Sequence, residues 1–453
     1  MSETVLTHWT RLVRENPDAP ALVEAATGRT WTRAQLDTET LAFPSAVARR
    51  GVTFALPNGA AWFATFLGLL RAGATPVPLD PSEPAAAQLH LATAARAPFA
   101  LLAGQLTPTN CHPLGDTSLV PSQLGKSNCH LIGDNLVRRA CLIKLTSGST
   151  GTPRALAFTH AQMIADGRHV CASMGITSAD VNFAVIPLGH SYGLGNLVMP
   201  LLTQGTALVC AGVPLPHALA ADIARWRPTV FPAVPALLNA LAQADLPADA
   251  LASLRTVISA GTRLSPEIAQ AFFQKFNLRA HSFYGSSETG GISYDRTGEA
   301  TLADRSVGTP LDGVTLTPVR GGRLRITSDA VTGRGGFTPA DLAIIDDRGE
   351  LVLQGRAGRL VKIAGRRLDL GDLERLLRTV PDVRDAFACV HPDTPDELAA
   401  VLATSLDLPT LRTSLRRDFA AWKIPRRLVL VAEFPLTARG KPDTRALQAL
   451  LRR

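Results

Sequence analysis

The sequence predicts an α/β protein, with a large N-terminal domain of layered sheets and helices that includes a small β-barrel, and a small C-terminal α+β domain. Three observations carry this. The 453 residues exceed what one core ordinarily organises. Over the first 280 residues short apolar runs alternate with amphipathic helical stretches, the rhythm of a parallel sheet covered by helices. From about Val307 the texture changes to short β runs with glycine turns, and past residue 360 it changes again.

Val52–Leu56, Ala60–Ala72 and Thr75–Leu79 read as strand, helix and strand, and Val181–Pro187, Tyr192–Thr203 and Ala207–Cys210 repeat the pattern. Thr315–Val319, Arg323–Thr327, Ala343–Ile345 and Glu350–Leu353 read as the strands of the β unit. The Gly- and Arg-rich run at Gly355–Arg359 suits a hinge. The expected division is 1–356, a hinge at 357–359, and a mobile domain at 360–453. In the last, Asp372–Leu377 and Leu411–Trp422 read as helices, and Ala386–His391 and Arg427–Val431 as strands.

Hydrophobic residues make up 46% and charged residues 19%, which suits a folded chain and not a disordered one. The net charge of +8 suits anionic ligands such as nucleotides, phosphates and carboxylates. Lys and Arg are scattered, with no basic run interleaved with aromatics, which argues against nucleic acid. None of the six cysteines forms a CxxC pair, and Cys111-His112 and Cys129-His130 have no second cluster to complete a zinc site. Reduced thiols in a cytoplasmic protein are expected. The N-terminus lacks an apolar signal region, and Leu194–Ala224 is broken by Pro200, Gln204, Pro214 and Pro216, so no membrane span is expected.

Residues 145–154 read LTSGSTGTPR. Gly148 and Gly151 let backbone N–H groups face phosphate oxygens, Thr146, Ser147, Ser149 and Thr150 add hydroxyls, and Arg154 adds charge. GK[ST] is absent, so this is no Walker loop. A plain turn is the alternative. Residues 283–289 read FYGSSET. Tyr284 and Gly285 can lie against a planar base, and Glu288 can hold a hard metal ion. Asp341 could accept from ribose hydroxyls or end a turn. Lys441, between Gly440 and Pro442, could be aimed at a developing anion or lie on the surface.

In this order the pieces resemble the adenylate-forming superfamily: acyl-CoA synthetases, peptide-synthetase adenylation domains and luciferases. The resemblance covers nearly the whole chain, through WTRAQL (31–36), LPNG (56–59), LRAGATPVPLD (70–80), LTSGSTGTPRALAFTH (145–160), IPLGHSYG (186–193), SAGTRLSP (259–266), YGSSETGG (284–291), ADLA (340–343), GRAGRLVKIAGRRLDLGDLE (355–374) and ARGKPDTRAL (438–447). The short 284–292 segment, YGSSETGGI, resembles ligases of aryl-polyene pigment pathways, which hand aryl acids to carrier proteins.

The resemblance implies roles. Thr146, Ser147, Ser149 and Thr150 would hold the β- and γ-phosphates of ATP, and Gly261 and Tyr284 would meet adenine. Ser287 would meet the α-phosphate and Glu288 would ligate Mg2+. Asp341 and Arg356 would hold ribose, and Lys441 would bridge carboxylate and α-phosphate. His190, Tyr192, Gly193, Val234, Ser259, Gly290 and Ile292 would bound an acyl pocket. Lys362 and Gly365 would line the tunnel for a thiol, from CoA or from the phosphopantetheine of an acyl carrier protein. Four features depart from the family: Arg154 replaces a lysine, Pro339-Ala340 replace Thr-Gly, the stretch between Ile326 and Asp341 is short, and Gly358 replaces the hinge Asp.

The pocket segments carry small or apolar residues, with no evident acid to hold an α-amine, so an aryl or fatty acid is expected as substrate. The implied reaction is an ATP-dependent acid–thiol ligation through an acyl-adenylate. An adenylate-forming enzyme with another second step and a degenerate nucleotide-binding protein are the alternatives. Retention of Glu288, Asp341 and Lys441 argues against the last.

Overall fold

The computed structural model describes residues 3–81, 85–95, 97–102, 104–109, 140–146, 154–333, 335–356, 359–363, 366–391, 394–419, 423–437 and 441–452. The chain divides into two compact units. One comprises Met1–Thr317, Arg325–Thr338 and Ile345–Val352, and the other Pro318–Leu324, Pro339–Ile344 and Leu353–Arg453.

The first unit is built on a nine-stranded sheet, with six parallel strands in the order Pro20–Glu24, Ala207–Cys210, Val181–Ala184, Val230–Ala233, Thr256–Ser259 and Ala280–Ser286. Antiparallel strands flank them: Arg29–Thr32 on one side, then Gly290–Tyr294 and Thr309–Pro310 on the other. The inner strands are short and buried on both faces, as parallel strands under helices must be. A second sheet runs Thr75–Pro78, Gly51–Phe54, Phe99–Leu102, Gln105–Pro108. The helix Ala60–Arg71 is apolar on nearly every side and correspondingly buried, with Trp62 stacked on Phe66. Its first N–H, on Ala60, donates to the Glu24 carboxylate at 3.0 Å.

The strand–helix–strand readings at 52–79 and 181–210 match the structure, with one refinement. The helix expected at Tyr192–Thr203 runs from Ser191 to Gln204 with a π-turn at Leu194–Val198. Buried Asn182 donates its side-chain N–H to the Asn196 carbonyl within that turn, at 3.1 Å.

Four strands, Thr315–Val319, Arg323–Thr327, Asp341–Ile345 and Leu351–Arg356, form a sheet in that linear order. Among the described residues it is an open sheet, and the expected small barrel is not closed.

The second unit holds a three-stranded sheet, Val383–His391, Thr394–Thr404 and Arg427–Val431, antiparallel then parallel. Helices Leu370–Arg378, Leu408–Asp418 and Thr444–Leu451 accompany it. The helix expected at 411–422 begins earlier, because Asp407 accepts the Thr410 N–H as its cap and Pro409 suits the first turn. Leu411 and Leu415 join Leu373, Leu377, Ala400 and Leu402 in the core of this unit.

One buried carboxylate sets the base of the main sheet. Asp180 precedes the strand Val181–Ala184 and is 7% exposed. It accepts from Arg255 Nε and Nη2 at 2.7 Å each, from the Thr229 hydroxyl at 2.8 Å and from the Thr177 N–H at 2.9 Å. Burial pushes this carboxyl up, but those four donors outweigh it and hold the pKa at about 2, below the usual 3.8. A depressed pKa in the folded state stabilises the fold above pH 4 and ceases to do so as pH falls toward 2. Asp180→Asn is therefore expected to lower the melting temperature at pH 7 by a few degrees, with the gap from wild type closing between pH 4 and pH 2. Thermal scans across that range check it, and a gap independent of pH would refute the linkage.

Candidate active site

Ligands of open parallel sheets bind beyond the carboxyl ends of the strands. Here those ends carry the 185–193, 234, 260–266 and 284–291 segments. Asn58, from LPNG, fixes the first of them. Its amide donates to the Ala184 and Ile186 carbonyls at 3.2 and 2.9 Å and accepts the Leu188 N–H at 3.0 Å. His190 follows, with Nε2 3.1 Å from the buried Asp80 carboxylate. Gly193 cannot carry a Cβ, which would fall 2.1 Å from the Pro187 carbonyl oxygen.

The Ser191 hydroxyl donates to the Ser287 hydroxyl at 3.2 Å, so two motifs 96 residues apart meet. Tyr192 donates to the Ile258 carbonyl at 3.3 Å and lies tilted against Phe283, and burial raises its pKa well above the ordinary value. Val234 lies 3.8 Å from where a Cβ of Gly261 would stand, and Gly261 has φ +91°. Ser259 is buried with no partner for its hydroxyl among the described residues. Tyr284 and Gly285 lie on the strand Ala280–Ser286, and Ile292 is fully buried on the next.

Glu288 projects from the turn between these strands, half-buried and flanked by the paired hydroxyls of Ser286 and Thr289. Its carbonyl accepts the Thr332 N–H and hydroxyl, both at 3.1 Å. Among the described residues no group of three or more His, Cys, Asp or Glu gathers around a metal. One carboxylate among hydroxyls fits an ion that arrives on a polyphosphate, because Mg2+ is commonly bound by one or two carboxylates plus substrate phosphates.

The phosphate-loop residues Ser147, Gly148, Ser149, Thr150 and Gly151 lie outside the described residues. The hairpin that leads into and out of that loop is described: Ala140–Thr146 pairs antiparallel with Arg154–Thr159, and Thr146 stands opposite Arg154. In the second unit, Asp341 opens the strand Asp341–Ile345, and Arg356 ends Leu351–Arg356. Lys362 pairs with Arg367 in a hairpin, while Gly365 and the hinge residues 357–358 lie outside the described residues. Lys441 is exposed, and its backbone N–H and carbonyl bond the Thr437 hydroxyl and N–H at 3.3 and 2.7 Å.

Two site neighbours, Lys144 and Asp166, carry no sequence signal, and Asn58 and Asp80 belong to motifs that assigned them no role. Asp166, in the helix His160–Met174, is 4% exposed and accepts the Gly291 N–H at 2.9 Å. Lys144 is 3% exposed, 4.1 Å from the Phe158 ring centroid, and without a hydrogen bond among the described residues. Burial lowers the pKa of Lys144 and raises that of Asp166, and each charge opposes the other's shift.

Comparison with known proteins supplies the family. Residues 9–362 match the AMP-binding enzyme family. The chain is 27% identical over 493 residues to the probable non-canonical nonribosomal peptide synthetase CymA of Salinispora arenicola, covering 99% of this chain and 6% of that protein. It is 29% identical over 347 residues to a 2-hydroxy-7-methoxy-5-methyl-1-naphthoate–CoA ligase of Streptomyces carzinostaticus, covering 68% and 62%. The chain thus matches less than two thirds of the length of either relative. The fold is shared with Klebsiella oxytoca NpsA in complex with 3-hydroxyanthranilyl-AMSN, at TM-score 0.77 and 21% identity over 100% of both chains. With more than three quarters of its length inside that match, this chain belongs to the AMP-binding enzyme family.

Proposed function

We propose that this protein joins a carboxylic acid to AMP, releasing pyrophosphate from ATP, and then passes the acyl group to a thiol. The observation that carries this reading is the Ser191–Ser287 bond. It links the segment bearing His190, beside the expected acyl pocket, to the turn bearing Glu288, beside the expected phosphates. A carboxylate and an α-phosphate would be brought together there.

Two anions must meet, so the barrier is largely electrostatic. Arg154, Lys441 and the N–H groups of the 147–151 loop offset the repulsion. Tyr284 and Gly261 receive adenine, Asp341 and Arg356 the ribose, and Ser287 the α-phosphate. Mg2+, held by Glu288 and the phosphates, supplies the remaining positive charge when bound. After adenylation the 360–453 domain turns about residues 357–359, Lys441 withdraws, and Lys362 and Gly365 come to guide the thiol.

The acid is aryl or fatty, and aryl is better supported, since both acids named for the relatives above are aromatic. The acceptor is CoA or a carrier-protein phosphopantetheine, the latter supported by the alignment of 99% of this chain with a segment, 6% of the length, of a peptide synthetase. A cytoplasmic setting agrees with the unpaired thiols of Cys141, Cys171, Cys210 and Cys389. No helix among the described residues is long and apolar enough to cross a membrane.

Pyrophosphate release across a panel of aryl and fatty acids, with and without CoA or a phosphopantetheinylated carrier, tests the reading; no release with any acid would sink it. Glu288→Gln is expected to depress adenylation with the fold intact, and full activity over a Mg2+ titration would remove Glu288 from the site. Lys441→Ala is expected to slow adenylation by about 10²–10³ while sparing transfer from a pre-made acyl-adenylate to the thiol. Equal loss in both half-reactions would refute the domain alternation.

A further inference from the structure

The buried Asp166 has no part in the reaction described above, yet its surroundings are built around it. A Cβ on Gly290, at φ +71°, would stand 2.1 Å from Asp166 Oδ1, and a Cβ on Gly195 would stand 2.8 Å from Oδ2. Two glycines therefore make room for this carboxylate. The Gly291 N–H that it accepts, at 2.9 Å, lies three residues beyond Glu288. On the other side of the turn the Glu288 carbonyl is held by Thr332. The turn is thus pinned on both sides, by one bond at Gly291 and two at Glu288. A carboxylate at this depth needs compensation. The Gly291 N–H supplies one bond, and the ammonium of Lys144, which feels the charges of both Asp166 and Glu288, makes no hydrogen bond among the described residues. Lys144 is two residues before Thr146, on the strand that enters the phosphate loop.

We propose that Asp166 is a positioning residue: by holding the Gly291 N–H it fixes the backbone from which Glu288 projects, and so sets the aim of the metal-binding carboxylate. This rests on the reading of Glu288 as the Mg2+ ligand. Groups that orient a metal ligand commonly matter about 10–100-fold in metal affinity. The hydrogen bond, and not the charge, carries the role. An amide oxygen at position 166 would serve the same N–H.

The test uses the full chain with a non-hydrolysable ATP analogue, and Mn2+ as a paramagnetic probe titrated by electron paramagnetic resonance. Hydrogen–deuterium exchange over 285–292 is read in parallel. Asp166→Ala is expected to weaken Mn2+ binding about tenfold or more, leave metal-free analogue binding unchanged, and speed exchange at Gly291. Asp166→Asn keeps the acceptor and is expected to stay within about threefold of wild type, with Gly291 still protected. Because that change leaves Lys144 buried without the stronger of its countercharges, with Glu288 still present, the double variant K144M/D166N is measured as well, with the same expectation.

A folded Asp166→Ala with wild-type Mn2+ affinity overturns the proposal. So do Asn-bearing variants that both bind about tenfold worse or both fail to fold, because the role would then lie in the charge. Glu288→Gln, titrated alongside, separates the two ideas. If it binds Mn2+ as wild type does, the metal reading fails, while the exchange at Gly291 still reports whether Asp166 anchors the turn.

Discussion

The Asp180 carboxylate reaches the starts of three parallel strands. It precedes one strand itself, accepts from Thr229 before the second, and accepts from Arg255 before the third. Each of these strands is four residues long. So short a strand has little pattern of its own to resist slipping, and a one-residue slip would move its end by about 3.3 Å and turn every side chain to the other face. Fixing the near ends fixes the far ends, where the Asn58-bound loop, Val234 and Gly261 emerge. The candidate site at one edge of the sheet depends on a charge cluster at the opposite edge.

At the far edge the turn at 284–291 is crowded to a degree that only glycine tolerates. A Cβ on Gly285 would lie 2.6 Å from the Gly290 carbonyl oxygen, and one on Gly291 would lie 2.5 Å from Leu311. Close approach of two backbones and a buried carboxylate leaves Ser287 and Glu288 as the outward members of a rigid frame. Support of this kind would serve the roles proposed for Ser287 and Glu288, because donors and ligands that need not reorganise are worth more.

Much of this architecture was legible in the sequence, and the illegible part has a physical pattern. Phosphate and metal chemistry demand particular residue types at close spacing, so 145–154 and 283–289 stand out in the sequence as candidates. The supports did not, because their partners are distant: 110 residues separate Asp80 from His190, and 125 separate Asp166 from Gly291. Asp166 and Lys144 read as ordinary helix and strand residues until the fold buries them. The strand Thr394–Thr404 escaped notice because Pro395, Asp396 and Glu397 near its start mimic a loop. Strand closure at 315–356 was beyond reach, since which strands pair is decided by three-dimensional proximity and not by local texture.

The π-turn at Leu194–Val198 has a consequence for how this site can diversify. One residue of an α-helix turns the side chains by about 100°, so a single added residue re-phases everything after it. Ser191 and Tyr192 face the ligand end, whereas Met199, Leu201 and Leu202 are locked in the core against the helix carrying Gly167, where a Cβ would fall 2.6 Å from that of Met199. The extra residue lets each stretch keep its own angular setting. The residues on the Ser191 side can therefore be re-aimed by small changes at the π-turn without repacking the interior behind them, a mechanical clutch between the carboxyl edge of the sheet and the packed core.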